Sequence, residues 1–265
     1  MNRDYYPQRI ICLTEETTET LYLLGEEDRI VGISGFTVRP SHARKEKPKV
    51  STFIDAKYDE ILALKPDLVI GFSDIQADIA KELISRGINV WVNNHRSVMG
   101  ILCMIQQLGA LVGKSNEAQA LIQKFENKIE AVRLGAKSWT KKPQIYFEEW
   151  YDPLISGILW VDEIIDIAGG VNIFHDKAQA SLAKDRIIEN PEEVVHKNPD
   201  IILASWCGKM FKKDKMFERP GWKTIQAFND NQVFEIPSEI ILQPGPAALL
   251  EGIDLLHEIF KAWRS

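Results

Sequence analysis

The residues of this chain that could do chemistry are two acidic doublets, one cysteine in the second half, and a set of aromatics. Glu15-Glu16 and Glu148-Glu149 each follow a short apolar run, RIICLT and QIYF. Such a pair could serve as acid and base if its two protonation states were split. Carboxylates at the end of a strand also bind ligands or favour the start of the next helix. Cys207 has no base beside it in sequence, and no G-x-S-x-G elbow occurs. The segment GALVGKS at 109–115 is one residue short of a phosphate loop and follows a helical run, which makes it a helix terminus. The histidines (His42, His95, His175, His196, His257) form no i, i+4 pair, so neither a metal site nor an intrinsic cofactor is expected. These residues read as a non-enzyme.

Binding suits the aromatics better. In a doubly wound α/β sheet, ligands meet the loops at the carboxyl ends of the strands. Phe36 follows RIVGI, Phe72 ends LVIGF, Trp150 and Tyr151 follow QIYFEE, and Trp206 follows IILAS. Phe53 and Trp222 stand in neighbouring irregular segments. Several flat apolar groups on one edge would grip a large, partly apolar ligand. Glu15, Gln243 in the stiff QPGP loop and Arg219 in ERPGW add polar contacts, Arg219 toward an anionic group.

The elements that must position these groups follow from periodicity. Short apolar runs at 9–14, 29–33, 68–72 and 89–92 predict strands, and helical spacing appears at 17–24, 59–64 and 75–86. Gly25 and Gly87 are placed as helix ends, and Pro66 stops the helix before it. From 98 to about 134 only helix periods occur, with Gly113 as the one break. Strand signals then resume at 144–147, 201–205 and 233–236, with helices at 160–168 and 246–263. Alternation of this kind implies mainly parallel sheets covered on both faces. The expected division is an α/β lobe over 1–97, a linking helical segment over 98–137, and a second α/β lobe over 138–265.

An internal echo supports two like lobes. DEILALKPDLVI begins at Asp59 and EEVVHKNPDIIL at Glu192. Both read as a short helix, a Pro-Asp stop, and a strand entering a sheet.

Composition sets outer limits. Hydrophobic residues are 45% of the 265, enough for real cores, and the net charge of -6 argues against a nucleic-acid partner. No run approaches the roughly 18 apolar residues of a membrane span. Three cysteines without a C-x-x-C give no disulfide framework. The opening MNRDYYPQRI lacks the apolar block of a secretory signal, which keeps a cytoplasmic location open.

The chain resembles the helical-backbone solute-binding proteins of bacterial ABC importers, particularly their cobalamin-binding branch. The likeness runs through PQRIICLTEETTETLYLLG, VGISG, KPKVSTF, DEILALKPDLVI, AGGVNIF, EEVVHKNPD and RPGWKTIQAFNDNQVFEI. The resemblance implies two Rossmann-like lobes joined by one long helix, with the ligand in a cleft between them. It implies a monomer outside the cytoplasm that delivers cobalamin or a related corrinoid to a membrane permease. Asp59 and Glu192 match the acidic positions that dock on the permease, although the family usually has Glu at the first. Phe53 and Phe72 stand where the cobalamin branch tends to place Trp. A ferric-siderophore or haem binder of the same fold is the near alternative. A cytoplasmic enzyme or corrinoid-handling protein, using Glu15, Glu149 and Cys207, is the distant one.

Overall fold

The computed structural model describes residues 5–264. These form two compact units, one running to His95 and resuming over Met99–Lys124, the other made of Arg96–Val98 and the chain from Phe125.

The first unit is built on five parallel strands: β1 (Ile10–Cys12), β2 (Ile30–Ser34), β3 (Lys49–Ser51), β4 (Leu68–Phe72) and β5 (Val90–Asn93). Their order is β3-β2-β1-β4-β5. The chain winds outward from β1 in one direction and then, from β4, in the other. Between β1 and β4 lies the switch point at which ligands bind in sheets of this kind. Ile10 pairs with both Ile30 and Leu68 across this centre, and β1 is wholly buried. Ile11, Leu13, Val50, Ile61, Val69, Ile79 and Leu83 make one core cluster. The helix Glu15–Leu23 starts two residues earlier than its spacing predicts, because Thr14 is extended and the acidic doublet itself forms the first turn. β3 was not legible: it is three residues long in a Lys- and Pro-rich stretch.

The helical stretch is two helices, Val98–Leu111 and Ser115–Lys137, broken where Gly113 takes φ +75°. A Cβ at Gly109 would stand 2.4 Å from that of Ala118, so the missing side chain lets the first helix approach the start of the second. The second helix gives its residues up to Lys124 to the first unit and the rest to the second. No helix among the described residues is long and apolar enough to cross a membrane.

The second unit holds β6 (Gln144–Tyr151), β7 (Leu154–Ser156), β8 (Val171–Asn172), β9 (Ile201–Ala204) and β10 (Val233–Glu235). The order is β10-β9-β6-β7, with β8 also on β6; only β7 is antiparallel. β6 is twice as long as the apolar run suggests, since the strand continues through Glu148 and Glu149. Its core gathers Tyr146, Phe174, Val194, Ile202, Met216 and Trp222.

The sequence echo is a structural one. The helices Tyr58–Ala63 and Glu192–Lys197 end at Lys65 and Asn198, which take φ +48° and +43°. A Pro-Asp pair follows each. Asp67 accepts the N–H groups of Gln8 and Arg9 just ahead of β1, and Asp200 accepts that of Gln144 at the start of β6. Each aspartate therefore ties its own strand, β4 or β9, to the first strand of its unit.

Candidate functional site

In the first unit the candidate groups gather at the carboxyl edge of the sheet. Glu15 leaves β1 directly and is only 3% exposed. Its Oε2 accepts the backbone N–H of Val38 and of Arg39, the latter at 3.1 Å. Its Oε1 is buried without a hydrogen-bond partner. Burial pushes its carboxyl up to about 7, the two amides pull it down, and Glu19 and Glu16 add to the rise. Glu16 is also pushed to about 7 by burial, although the Thr14 hydroxyl donates to it at 2.5 Å. The loops after β2 and β3 bring Phe36 and Phe53 together, ring centroids 4.8 Å apart and planes 16° from parallel. Phe36 is 47% exposed, so the pair presents a flat apolar face. Phe72, at the end of β4, meets the His95 ring edge-on at 5.3 Å. His95 was not singled out in the sequence; its place just beyond an edge strand was the available signal.

The second unit presents a row of aromatics at the carboxyl ends of β6 and β9. Trp150, Tyr151, Trp206 and Phe211 follow one another at centroid distances of 5.2, 4.6 and 5.1 Å. An open pocket of about 480 Å³ adjoins it, lined by Trp206, Lys209, Met210, Glu235, Pro237 and Glu239 among others. Beneath the row lies Glu148, fully buried. Arg219 grips it with two N–H donors at 2.6 and 3.0 Å, the Tyr146 hydroxyl donates at 2.9 Å, and the Trp206 indole N–H at 3.0 Å. Burial raises the Glu148 carboxyl, and those three partners oppose the rise.

Several expectations change against this geometry. Arg219 is committed to Glu148, with its guanidinium carbon 4.5 Å from the Trp222 ring centre, so the anion it meets is the chain's own. Trp222 has no exposed surface and is a core residue. Trp206 is 5% exposed, with its indole nitrogen turned inward to Glu148. Gln243 is half-buried in the turn before the last helix, where its carbonyl accepts the Gly245 N–H, and it is not part of the lining of the pocket. Glu149 is held by Arg186 at 2.6 and 3.0 Å. The nucleophile reading of Cys207 loses ground too, because burial, with Glu149 adding to it, raises its thiol. Asp59 and Glu192 both stand exposed in the first turns of their short helices.

Each α/β unit by itself carries an aromatic cluster at the carboxyl edge of its sheet. A sequence model described as "Periplasmic binding protein" matches residues 10–240 of this chain. The chain belongs to that family. A vitamin B12-binding protein of Vibrio campbellii is 30% identical over 262 residues, covering 97% of this binding protein and 90% of the relative. An uncharacterised ABC transporter substrate-binding lipoprotein of Bacillus subtilis, YvrC, is 26% identical over 261 residues, or 95% and 79% of the two chains. Among solved structures, a periplasmic haem-binding protein from Roseiflexus, RhuT, superposes with a TM-score of 0.82 at 22% identity, covering 97% of this chain and 99% of that one. The binding protein thus has the fold of periplasmic solute-binding proteins. Its relatives are binders rather than enzymes, in accord with the reading of the residues.

Proposed function

We propose that this solute-binding protein takes a corrinoid, cobalamin foremost, outside the cytoplasm and delivers it as a monomer to an ABC importer. The observation that carries the reading is the aromatic face at the strand ends of each unit, Phe36–Phe53 in one and Trp150–Tyr151, backed by the buried Trp206, in the other. Such faces suit a broad, flat, partly apolar ring system. The likeness to a vitamin B12-binding protein over nearly the whole chain points the same way.

Titration with cyanocobalamin, followed by calorimetry and by tryptophan quenching, is expected to give a saturable one-to-one complex. Phe36→Ala should weaken it by about 1–2 kcal/mol, or roughly 5- to 30-fold, as the stacked face is lost. Absence of any heat or quenching at about 100 µM ligand, a dissociation constant weaker than about −5.5 kcal/mol of binding, would reject the corrinoid. Haem is the second reading, favoured by the imidazole of His95 against Phe72. A Soret shift on adding haemin, absent in His95→Ala, would transfer the assignment to it.

Asp59 and Glu192 are the proposed permease contacts. Their exposure and their like placement in repeated αβ junctions support this role. Charge reversal of both to Lys is expected to reduce reconstituted transport by at least about tenfold, since like charges then face the partner. Ligand affinity in solution should not change. Unaltered transport would remove these residues from the docking surface.

A further inference from the structure

An open pocket of about 310 Å³ lies at the outer edge of the first unit's sheet and is built wholly from that unit. One wall is the edge strand β5 with the residues just after it; the other is the helix Val98–Leu111. Three of the lining side chains are carboxamides, Asn93, Asn94 and Gln107, and none is a carboxylate, a lysine or an arginine. Asn93 is 5% exposed, and its Nδ2 is buried without a hydrogen-bond partner. A buried donor left without an acceptor is a net cost to the fold. The strand itself does not call for that amide. Ser73 donates its N–H to the main-chain carbonyl of Asn93, a contact that any residue at this position would give.

We propose that this pocket receives a carboxamide arm of the ligand, with Asn93 Nδ2 donating to the arm's carbonyl oxygen and the exposed Asn94 and Gln107 side chains accepting its N–H. The inference rests on the corrinoid reading above and deepens it, because corrinoids carry carboxamides around the ring whereas haem carries carboxylates. A carboxamide sets an acceptor and a donor side by side, which is the complement of an Asn or Gln side chain. A carboxylate would bring a charge to a wall without Lys or Arg and would offer no N–H. An alkyl arm would leave Nδ2 without an acceptor.

The location agrees with the aromatic face. Asn93 ends β5 directly opposite Phe72, the last residue of β4, so the pocket begins at the same edge of the sheet. His95, which also lines it, has its ring 5.3 Å from that of Phe72. The loop carrying Phe36 leaves β2, and β2 and β5 are three strand spacings apart, about 14 Å. A broad ring resting on Phe36 and Phe53 therefore reaches the pocket with an arm extended from its far rim. Cys103, an exposed thiol in the helical wall, needs no part in binding but reports whether the pocket is filled.

The test titrates cyanocobalamin and its isomeric derivatives, each with a single peripheral carboxamide hydrolysed to a carboxylate, into the protein by calorimetry. At least one isomer should bind the wild type about fivefold or more weakly than cyanocobalamin, as its arm loses the match to Asn93. Asn93→Leu should erase the deficit of that isomer and leave any deficit of the others. Gln107→Leu, at an exposed helix position that does not endanger the fold, should narrow the same deficit. Bound cyanocobalamin should slow alkylation of Cys103 by N-ethylmaleimide several-fold in the wild type, read by mass spectrometry, and slow it less in Asn93→Leu. A complex in which no isomer's deficit responds to either variant, or in which Cys103 is alkylated as fast as in the free protein, overturns the pocket and leaves the corrinoid reading standing. If neither cyanocobalamin nor any derivative binds, the corrinoid reading falls and this inference falls with it.

Discussion

Glu148→Ala is expected to destabilise the second unit by about 3–5 kcal/mol, the usual range for removing one member of a buried ion pair. The size follows from what is left behind. Glu148 is fully buried and answers four donors: two from Arg219, the Tyr146 hydroxyl and the Trp206 indole. Alanine leaves a largely enclosed guanidinium, a hydroxyl and an N–H without an acceptor, and an isolated buried charge is the most costly of these. The indole and Tyr146 both belong to the aromatic packing, so Trp206 should also lose its fixed orientation. Urea unfolding read by tryptophan fluorescence measures the loss. In a double-mutant cycle, Glu148→Ala combined with Arg219→Leu should be less destabilised than the two single effects added, because the stranded cation is gone. A single-variant change below about 1 kcal/mol would mean that Glu148 does not organise this region.

Much of the frame was legible because it depends on local patterns. LVIGF forms β4 with the bounds that its apolar run suggests, and Gly113 breaks the long helical stretch at the expected place. The echoed segments were readable as well, since a helix stop, Pro-Asp and an aliphatic run leave the same trace wherever they occur. What escaped was set by distant partners. The strand through Glu148 and Glu149 looks interrupted in sequence, and only Arg219 and Arg186, dozens of residues later, make those charges compatible with a sheet. The same pairing explains why Arg219 seemed available for an anionic ligand. Trp222 looked like a loop aromatic, but Tyr146 and Arg219 enclose it, one ring at 5.8 Å and the guanidinium on a face. His95 gained its place only when β5 packed beside β4 and set its ring against Phe72. Binding residues of this kind are hard to see in one sequence because each element contributes one side chain.

Proton balance gives the second large expectation, a fall in stability as pH rises from about 5 to 8. Glu15 and Glu16 have an ordinary carboxyl value of 4.5 and are both raised to about 7 in the folded chain, chiefly by burial. The folded state therefore binds more protons than the unfolded state throughout that interval. Stability then declines with pH, since its slope follows the protons bound in the unfolded state minus those in the folded state. The contribution is fully present below the unfolded value, is lost progressively as pH climbs through 7, and then levels off. A shift of this size corresponds to on the order of 3 kcal/mol for one carboxyl. Glu16 adds to the rise of Glu15, so the two titrate as a coupled pair and the decline should be broad rather than stepped. Glu163 and Glu148, also raised by burial, act in the same direction. Urea midpoints measured at pH 5, 6, 7 and 8 should decrease along the series. Glu15→Gln with Glu16→Gln should flatten the curve and be more stable than the wild type at pH 8, though not at pH 5. A midpoint that holds steady or rises toward pH 8 would show that both carboxyls ionise in the fold without penalty, and hence that solvent or a cation reaches oxygens that are here enclosed.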